Sequence, residues 1–176
     1  MSRISSLSSN AIAALFAQES SSSLITLLTI SGDGIDTPIR LADNYLTRLS
    51  ETDSEIVYGV QSNLGGATTY DFIFLPFGIS LPTEEQSASP RCTLTIQDVT
   101  RYLIPIIRSI STAPSIKIDI VLSSSPDTVE ISFGSFLLGN VRYNANTITA
   151  DLVVESLAVE PFPQHTFNPS YFSGLF

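Results

Sequence analysis

Alternation of apolar and polar residues is the most regular feature of the second half of the chain. Between Ile116 and Leu122 every second residue is Ile or Leu, and the same period of two returns further along. Because successive side chains of a strand point to opposite faces of a sheet, this period predicts half-buried β-strands. The segments predicted in this way are Cys92–Gln97, Ile116–Leu122, Val129–Phe133, Phe136–Tyr143 and Ile148–Glu155, and the last of them have the pattern of a β-meander.

The first half of the chain has shorter apolar runs that are separated by turn-forming residues. The run Leu24–Ile30 is rich in β-branched residues and is followed by a turn at Ser31–Gly34. Thr68–Ser80 is long and aromatic, and its Pro76 and Gly78 predict a bend or a sheet edge. Further strands are predicted for Pro38–Asp43 and Ile56–Val60.

Two segments have apolar residues at the three- and four-residue spacing of a helix. Leu7–Glu19 has a narrow apolar stripe, and Ser8 or Ser9 is suited to cap its N-terminus. Thr100–Ser111 has a second apolar stripe. Its Pro105 is best tolerated in a first turn, so we expect this helix to start late or to be kinked.

Together these segments predict a mainly β fold. About eight strands at a spacing of roughly 8–12 residues are typical of a β-sandwich or barrel, here with one or two flanking helices. We predict an N-terminal helix or arm over residues 1–22, a β-domain over residues 23–160, and a Pro- and Phe-rich C-terminal arm over residues 161–176.

Composition and charge restrict the classes of function. The 176 residues include 8 Lys and Arg against 17 Asp and Glu, a net charge of −9. Tight nucleic-acid binding needs several cationic contacts to phosphate, so we expect no specific nucleic-acid partner. No stretch reaches the roughly 18 apolar residues of a membrane span, so we expect no membrane insertion. A charged fraction of only 14% favours a surface that packs against proteins, since hydroxyl groups are easier to desolvate than charges.

The candidate chemical groups do not form a catalytic or metal-binding motif. Cys92 is the single cysteine and lies in an apolar run, which favours a buried, small apolar residue. His165 is the single histidine, and the chain has no Gly-x-Ser-x-Gly motif. Glu84 and Glu85 lie in a Pro-flanked polar loop, which is more typical of a solvated loop tip than of a catalytic carboxylate pair.

Aromatic side chains are grouped in two places. Tyr70, Phe72 and Phe74 fall on one face of a strand, which favours a core-facing row, with a sugar-stacking platform as the alternative. The C-terminal arm has no period, and we expect its aromatic residues to pack over the domain or into a neighbouring subunit. The candidate interface residues are Phe162, Phe167, Tyr171, Phe172 and Phe176 of this arm, with Glu84 and Glu85 of the polar loop.

Four segments occur in an order that matches a known family. They are Leu24–Ile30 followed by Thr37–Asn44, then Phe74–Pro82, then Leu94–Pro105, and finally Pro161–Pro163 through Tyr171–Leu175. In these segments the chain resembles a family of uncharacterised minor tail proteins of phages and prophages, which belong to the distal tail or tail tip. Gln97 departs from the acidic or small polar residue that is more usual in that family.

The resemblance implies a structural virion protein with a fold like those of tail-tube and distal-tail proteins, assembled in the cytoplasm of the bacterial host. No catalytic residue is carried over from that family, and we expect no enzymatic activity, no metal and no cofactor. Its function is then to form a ring of six copies, a distal-tail adaptor between the tail tube, the hub and the host-recognition proteins, near the tape measure. The alternatives are a trimeric hub protein, a carbohydrate-binding module, or an enzyme that gathers His165 with Ser and Asp residues.

Overall fold

The computed structural model describes residues 7–80, 91–98, 101, 103–144 and 146–153. The fold is mainly β, as the alternation predicts. Neither helix in this part of the chain is long and apolar enough to cross a membrane. The helices are α1 (Ser9–Phe16) and α2 (Leu103–Ser109), and the strands are β1 (Leu24–Ser31), β2 (Ile39–Ala42), β3 (Thr47–Glu51), β4 (Ile56–Ser62), β5 (Tyr70–Phe74), β6 (Phe77–Ser80), β7 (Arg91–Gln97), β8 (Ser115–Leu122), β9 (Ser125–Tyr143) and β10 (Thr147–Val153).

The strands form one 10-stranded sheet in the order β3-β4-β5-β2-β1-β8-β9-β10-β7-β6. The pair β2–β5 is parallel, and the other neighbouring pairs are antiparallel. Only Leu75 and Pro76 join β5 to β6, although these strands are far apart in the order of the sheet. Because consecutive Cα atoms are about 3.8 Å apart, so short a link requires the sheet to curl until β6 returns beside β5. The result is a barrel-like body whose sheet is not closed.

The inner face of the curled sheet holds the larger core. Leu28 and Ile30 of β1 pack there with apolar residues of β7, β8 and β10, and Leu103 of α2 covers one end at 2% exposure. A cavity of about 30 Å³ remains beneath α2 and is lined by apolar side chains. Such a volume is far below the roughly 300 Å³ or more of a typical ligand pocket, so the interior is a packed core.

The outer face holds a second, smaller core, so that β1 is buried on both sides. Ile25 and Leu27 of β1 pack there with Val60 of β4 and Phe72 of β5. The end of β4 is tied to the start of β9, where the hydroxyl of Ser62 donates to the carbonyl oxygen of Pro126 at 2.7 Å. The strands β3, β4 and β5 therefore form a second layer, which adds a sandwich-like part to the barrel-like body.

The helices differ from the prediction at their ends. The first spans Ser9–Phe16 rather than Leu7–Glu19, because Ala17 is already extended. Its N-cap is Ser8, as predicted, and the Ser8 side chain accepts from the amide of Ala11. The second begins late, at Leu103, which places Pro105 in the first turn, where a missing amide donor matters least.

The strands differ in three places. Thr68–Ser80 is divided at Leu75 and Pro76 into β5 and β6, which is the bend that proline predicts. The two strands predicted before and after Ser135 are a single strand, β9, whose pairing with β8 shifts register instead of turning. Strand β3 was not predicted, because only Leu49 of its five residues is even partly buried and an apolar period is missing.

Candidate assembly surfaces

The interface residues predicted from the sequence lie outside the described part of the chain. This applies to Phe162, Phe167, Tyr171, Phe172, Phe176, Glu84 and Glu85, and also to His165. Candidate surfaces must therefore be sought among the residues that the structure places.

The buried polar side chains of the described residues connect elements of the fold. Asp98 accepts from the amide of Leu103 at 2.8 Å and so holds the start of α2. Asp119 accepts from the hydroxyl of Ser132 at 2.6 Å. Its second oxygen lies 2.9 Å from Lys117 Nζ, an ion pair without hydrogen-bond geometry. No group of three potential metal ligands occurs in the part of the chain that the structure describes.

Cys92 is buried in the inner core, as its apolar surroundings predict. Burial raises the pKa of its thiol, because the thiolate loses solvation. A buried thiol with a raised pKa is a poor nucleophile at neutral pH, so its contribution is that of a small apolar side chain.

In the row Tyr70, Phe72 and Phe74, the first two side chains pack into the protein, as predicted for a core-facing strand, whereas Phe74 is only partly buried. Phe72 is fully buried in the outer core, and Tyr70 packs at the margin of that core. The guanidinium carbon of Arg40 lies 4.0 Å from the centroid of the Tyr70 ring. This row therefore offers no continuous exposed platform for a sugar.

Helix α1 is attached to the sheet through one buried carboxylate. Glu130 of β9 is 3% exposed, and its two oxygens accept from the amide and the hydroxyl of Ser8, each at 2.7 Å. A carboxylate at a helix N-terminus is stabilised by the free amides and the dipole of the first turn. Ala11 is fully buried beside this anchor. The attachment fixes the direction in which the rest of the helix projects.

The far end of α1 presents apolar side chains to solvent. Leu15 is 51% exposed and Phe16 is 80% exposed. Both belong to the apolar stripe that the sequence predicts, yet the described residues of the same chain do not cover them. A helix that is anchored at one end and apolar at the other is suited to contact a neighbouring molecule.

A second apolar surface lies on β4 and β5, and we call it the aromatic patch. It consists of Tyr45, Tyr58 and Phe74, with Ile56 beside them. The ring centroid of Tyr45 lies 5.4 Å from that of Tyr58 and 5.2 Å from that of Phe74. Tyr45, Ile56 and Tyr58 are each about half exposed, at 52%, 46% and 44%.

The aromatic patch could have been partly foreseen. Ile56 and Tyr58 alternate in a strand that was predicted, so their common face was available from the period of two. Tyr45 comes from a loop that the sequence pattern does not place. The buried role of Glu130 has no signal either, since an acidic residue between Val129 and Ile131 reads as a solvated position.

A third surface is a groove between the start of α2 and the β9–β10 turn, and we call it the arginine groove. It is lined by Arg101, Arg108 and Tyr143 together with Ile104, Pro105 and Asn144. Arg108 Nε donates to the Tyr143 hydroxyl at 3.2 Å, and its guanidinium lies 5.4 Å from the centre of that ring.

Comparison with known proteins gives no assignment. The chain matches none of the protein-family models that were searched, and no curated protein matches it.

Proposed function

We propose that the chain is a structural protein of a bacteriophage tail tip, a distal-tail subunit that assembles into a ring with copies of itself. In this proposal the β-domain forms the wall of the ring, and the N-terminal helix and the C-terminal arm contact neighbouring subunits. The ring links the tail tube to the hub and the host-recognition proteins, so the protein acts by assembly and not by catalysis.

The observation that carries the proposal is the exposure of large apolar side chains on an anchored helix. Full burial of a Phe or Leu side chain is worth about 1.5–3 kcal/mol, so the exposure of Phe16 and Leu15 leaves a sizeable driving force unused. Since the Ser8–Glu130 contact holds the helix in place, burying these side chains in a neighbour costs little ordering entropy. The aromatic patch offers a second unused apolar surface on the same chain.

The fold class and the composition agree with this function. A mainly β domain with flanking helices is what the resemblance to minor tail proteins implies, and the low charged fraction of 14% suits extensive protein contacts. The placement in a tail rests on that resemblance alone.

The first experiment measures the mass of the purified protein by size-exclusion chromatography with light scattering. A ring or a hub gives six or three times the 19.0 kDa of one chain, and the two are separated by that ratio. The variant Leu15→Ser/Phe16→Ser should shift the protein towards the monomer, whereas the control Asn10→Ser, at an exposed position of α1, should not. A wild-type protein that stays monomeric at high concentration contradicts the proposal.

A second experiment tests the place in the virion. Particles released from bacterial cells that carry the coding sequence are labelled with gold-conjugated antibody against the chain. Label at the distal end of the tail supports the proposal. Label on the capsid, or particles that lack the chain altogether, would refute it.

The carbohydrate-binding alternative has one observation in its favour, the exposed aromatic patch. However, the rings of Tyr45 and Phe74 meet at 64° and those of Tyr45 and Tyr58 at 55°, so the rings do not share a plane. Sugar rings stack on exposed flat faces, and tilted rings cover one another's faces. The geometry therefore favours a protein contact over a sugar platform.

A further inference from the structure

The arginine groove combines two cations with apolar lining residues. Arg101 and Arg108 are both exposed, and Tyr143 is 44% exposed. The backbone around Arg101 is held at the end of β7, where its amide donates to the carbonyl oxygen of Asp98 at 3.3 Å. The contact with the Tyr143 hydroxyl holds the side chain of Arg108. A guanidinium held in this way is pre-organised for a carboxylate, which it binds through two parallel hydrogen bonds.

The described residues supply no carboxylate to either arginine. The ion pairs in this part of the chain join Arg48 to Glu51 and Lys117 to Asp119. The chain as a whole has a net charge of −9, and among the described residues these two arginines form a cationic site to which no carboxylate is paired. The groove therefore fits a partner that brings carboxylates and a small apolar surface.

The same chain carries such a surface at the turn between β3 and β4, which we call the acidic turn. Glu51, Asp53 and Glu55 lie there, and all three are exposed. The turn is closed by a backbone hydrogen bond of 2.8 Å from the amide of Thr52 to the carbonyl oxygen of Glu55. Ile56, which is 46% exposed, follows directly and supplies an apolar side chain beside the carboxylates.

We propose that the arginine groove of one copy receives the acidic turn of a second copy. The argument is charge complementarity: the groove offers exposed guanidinium groups beside Ile104 and Pro105, and the turn offers exposed carboxylates next to Ile56. Two different surfaces of the chain meet in this contact, so it is heterologous and repeats from copy to copy, closing into a ring when the rotation allows. The inference rests on the self-assembly proposed above and names the surfaces that produce it.

The test is a charge swap that is read out by light scattering and by sedimentation at several concentrations. Arg101→Glu/Arg108→Glu and Asp53→Lys/Glu55→Lys should each raise the dissociation constant of the assembly at least tenfold. The variant with all four substitutions should recover assembly, because lysines on the turn then meet glutamates in the groove. Raising NaCl from about 0.05 M to about 0.5 M should weaken the wild-type assembly, since rim charges are screened over a few Å.

The controls change charge at nearby exposed positions. Arg142→Glu lies next to Tyr143 in β9, but successive residues of a strand point to opposite faces, so it should leave assembly unchanged. Asp33→Lys/Asp36→Lys on the β1–β2 connection has the same net charge change as the acidic-turn variant.

A mixture of the two double variants gives a further readout. When the two variants alternate, every contact joins opposite charges, because the acidic turn of one meets the arginine groove of the other and the lysine turn meets the glutamate groove. The mixture should therefore recover a mixed assembly that neither double variant forms alone.

The outcomes separate this inference from the proposed function. If the wild type assembles and both double variants assemble equally well, the inference is wrong and the ring forms through other contact surfaces. If the double variants dissociate but the fourfold variant does not recover, the groove binds a different acidic group and the pairing is refuted. A wild type that is monomeric at every concentration overturns both proposals.

Discussion

The Ser8–Glu130 contact should determine whether α1 stays on the sheet. Both carboxylate oxygens of Glu130 accept from Ser8 at 2.7 Å in a nearly buried site. Replacement by Gln keeps the shape but leaves one acceptor and one NH₂ group, so one of the two bonds is lost. A hydrogen bond to a charged group contributes about 1.5–3 kcal/mol, and a Ser N-cap about 1 kcal/mol.

The global loss of stability has an upper limit. An isolated helix of eight residues is marginal in water, so α1 is stable only through its contacts with the sheet. If these contacts are weakened enough, α1 should unfold locally while the sheet stays folded. For Glu130→Gln we expect the free energy of opening of α1 to fall by about 2 kcal/mol, with a global loss no larger than that. The expected change is thus local, and it disorders the element that presents Phe16.

Hydrogen exchange measured by mass spectrometry separates the two effects. Amides of α1 should exchange faster in Glu130→Gln and Ser8→Ala, while those of β1 and β8 keep their protection. Because the two side chains contact each other, the double variant should lose less than the sum, with a coupling of about 1–2 kcal/mol. Glu19→Gln, an exposed carboxylate beyond the helix, is the control. Additive losses, or faster exchange throughout the sheet, would show that the anchor does not act as described.

Three further predictions concern the β-domain. Gly59→Ala should destabilise the protein by about 3 kcal/mol or more in urea denaturation, because the new Cβ would collide with the carbonyl oxygen of Phe72. The control Gly78→Ala should be close to neutral, since its Cβ meets no atom within 4 Å. Leu103→Ala should cost about 2–5 kcal/mol and enlarge the cavity beneath α2, measured by the same assay; a cost below about 1 kcal/mol would contradict the role of α2 as a cover of the inner core. Burial raises the pKa of Cys92, so the folded state favours the protonated thiol. The free energy of unfolding should therefore fall as the pH rises above about 8.5 and through the folded-state pKa of this thiol. In thermal melts between about pH 7 and about pH 10, a Cys92→Ala variant should lack this decrease.

The sequence predicts a strand or helix well where buried positions recur at a regular spacing within that one element. Strand β1 was predicted as Leu24–Ile30 and is observed as Leu24–Ser31, because every position of this central strand after Leu24 is buried or half-buried. Strand β3 has no such repeat, since it forms at the edge of the sheet through its pairing with β4, which is a tertiary contact. The sequence also cannot reveal the curl of the sheet, because this follows from which strands pair and from the two-residue link between β5 and β6.

The candidate surfaces divide in the same way. Arg101 and Arg108 are close in the sequence, just before α2 and within it, so their proximity could be foreseen, and the apolar stripe with Leu15 and Phe16 was predicted. Tyr143 reaches the arginine groove from β9, more than thirty residues away from Arg108, and only the fold brings it there. The sequence therefore predicts which side chains share one face of a single helix or strand. It does not predict surfaces that combine side chains from separate elements.

The edge strand β3 helps to decide how copies of the chain would meet. An unpaired strand edge invites another strand, and proteins oppose this with short, charged or bulged edges. Strand β3 has all three features: it has five residues, carries the Arg48–Glu51 ion pair, and shifts register between Arg48 and Ser50. Strand addition at this edge is disfavoured as a result, while apolar side chains remain exposed on α1 and in the aromatic patch. At this edge, assembly through side-chain surfaces, as in the contact between the acidic turn and the arginine groove, is thus favoured over strand addition.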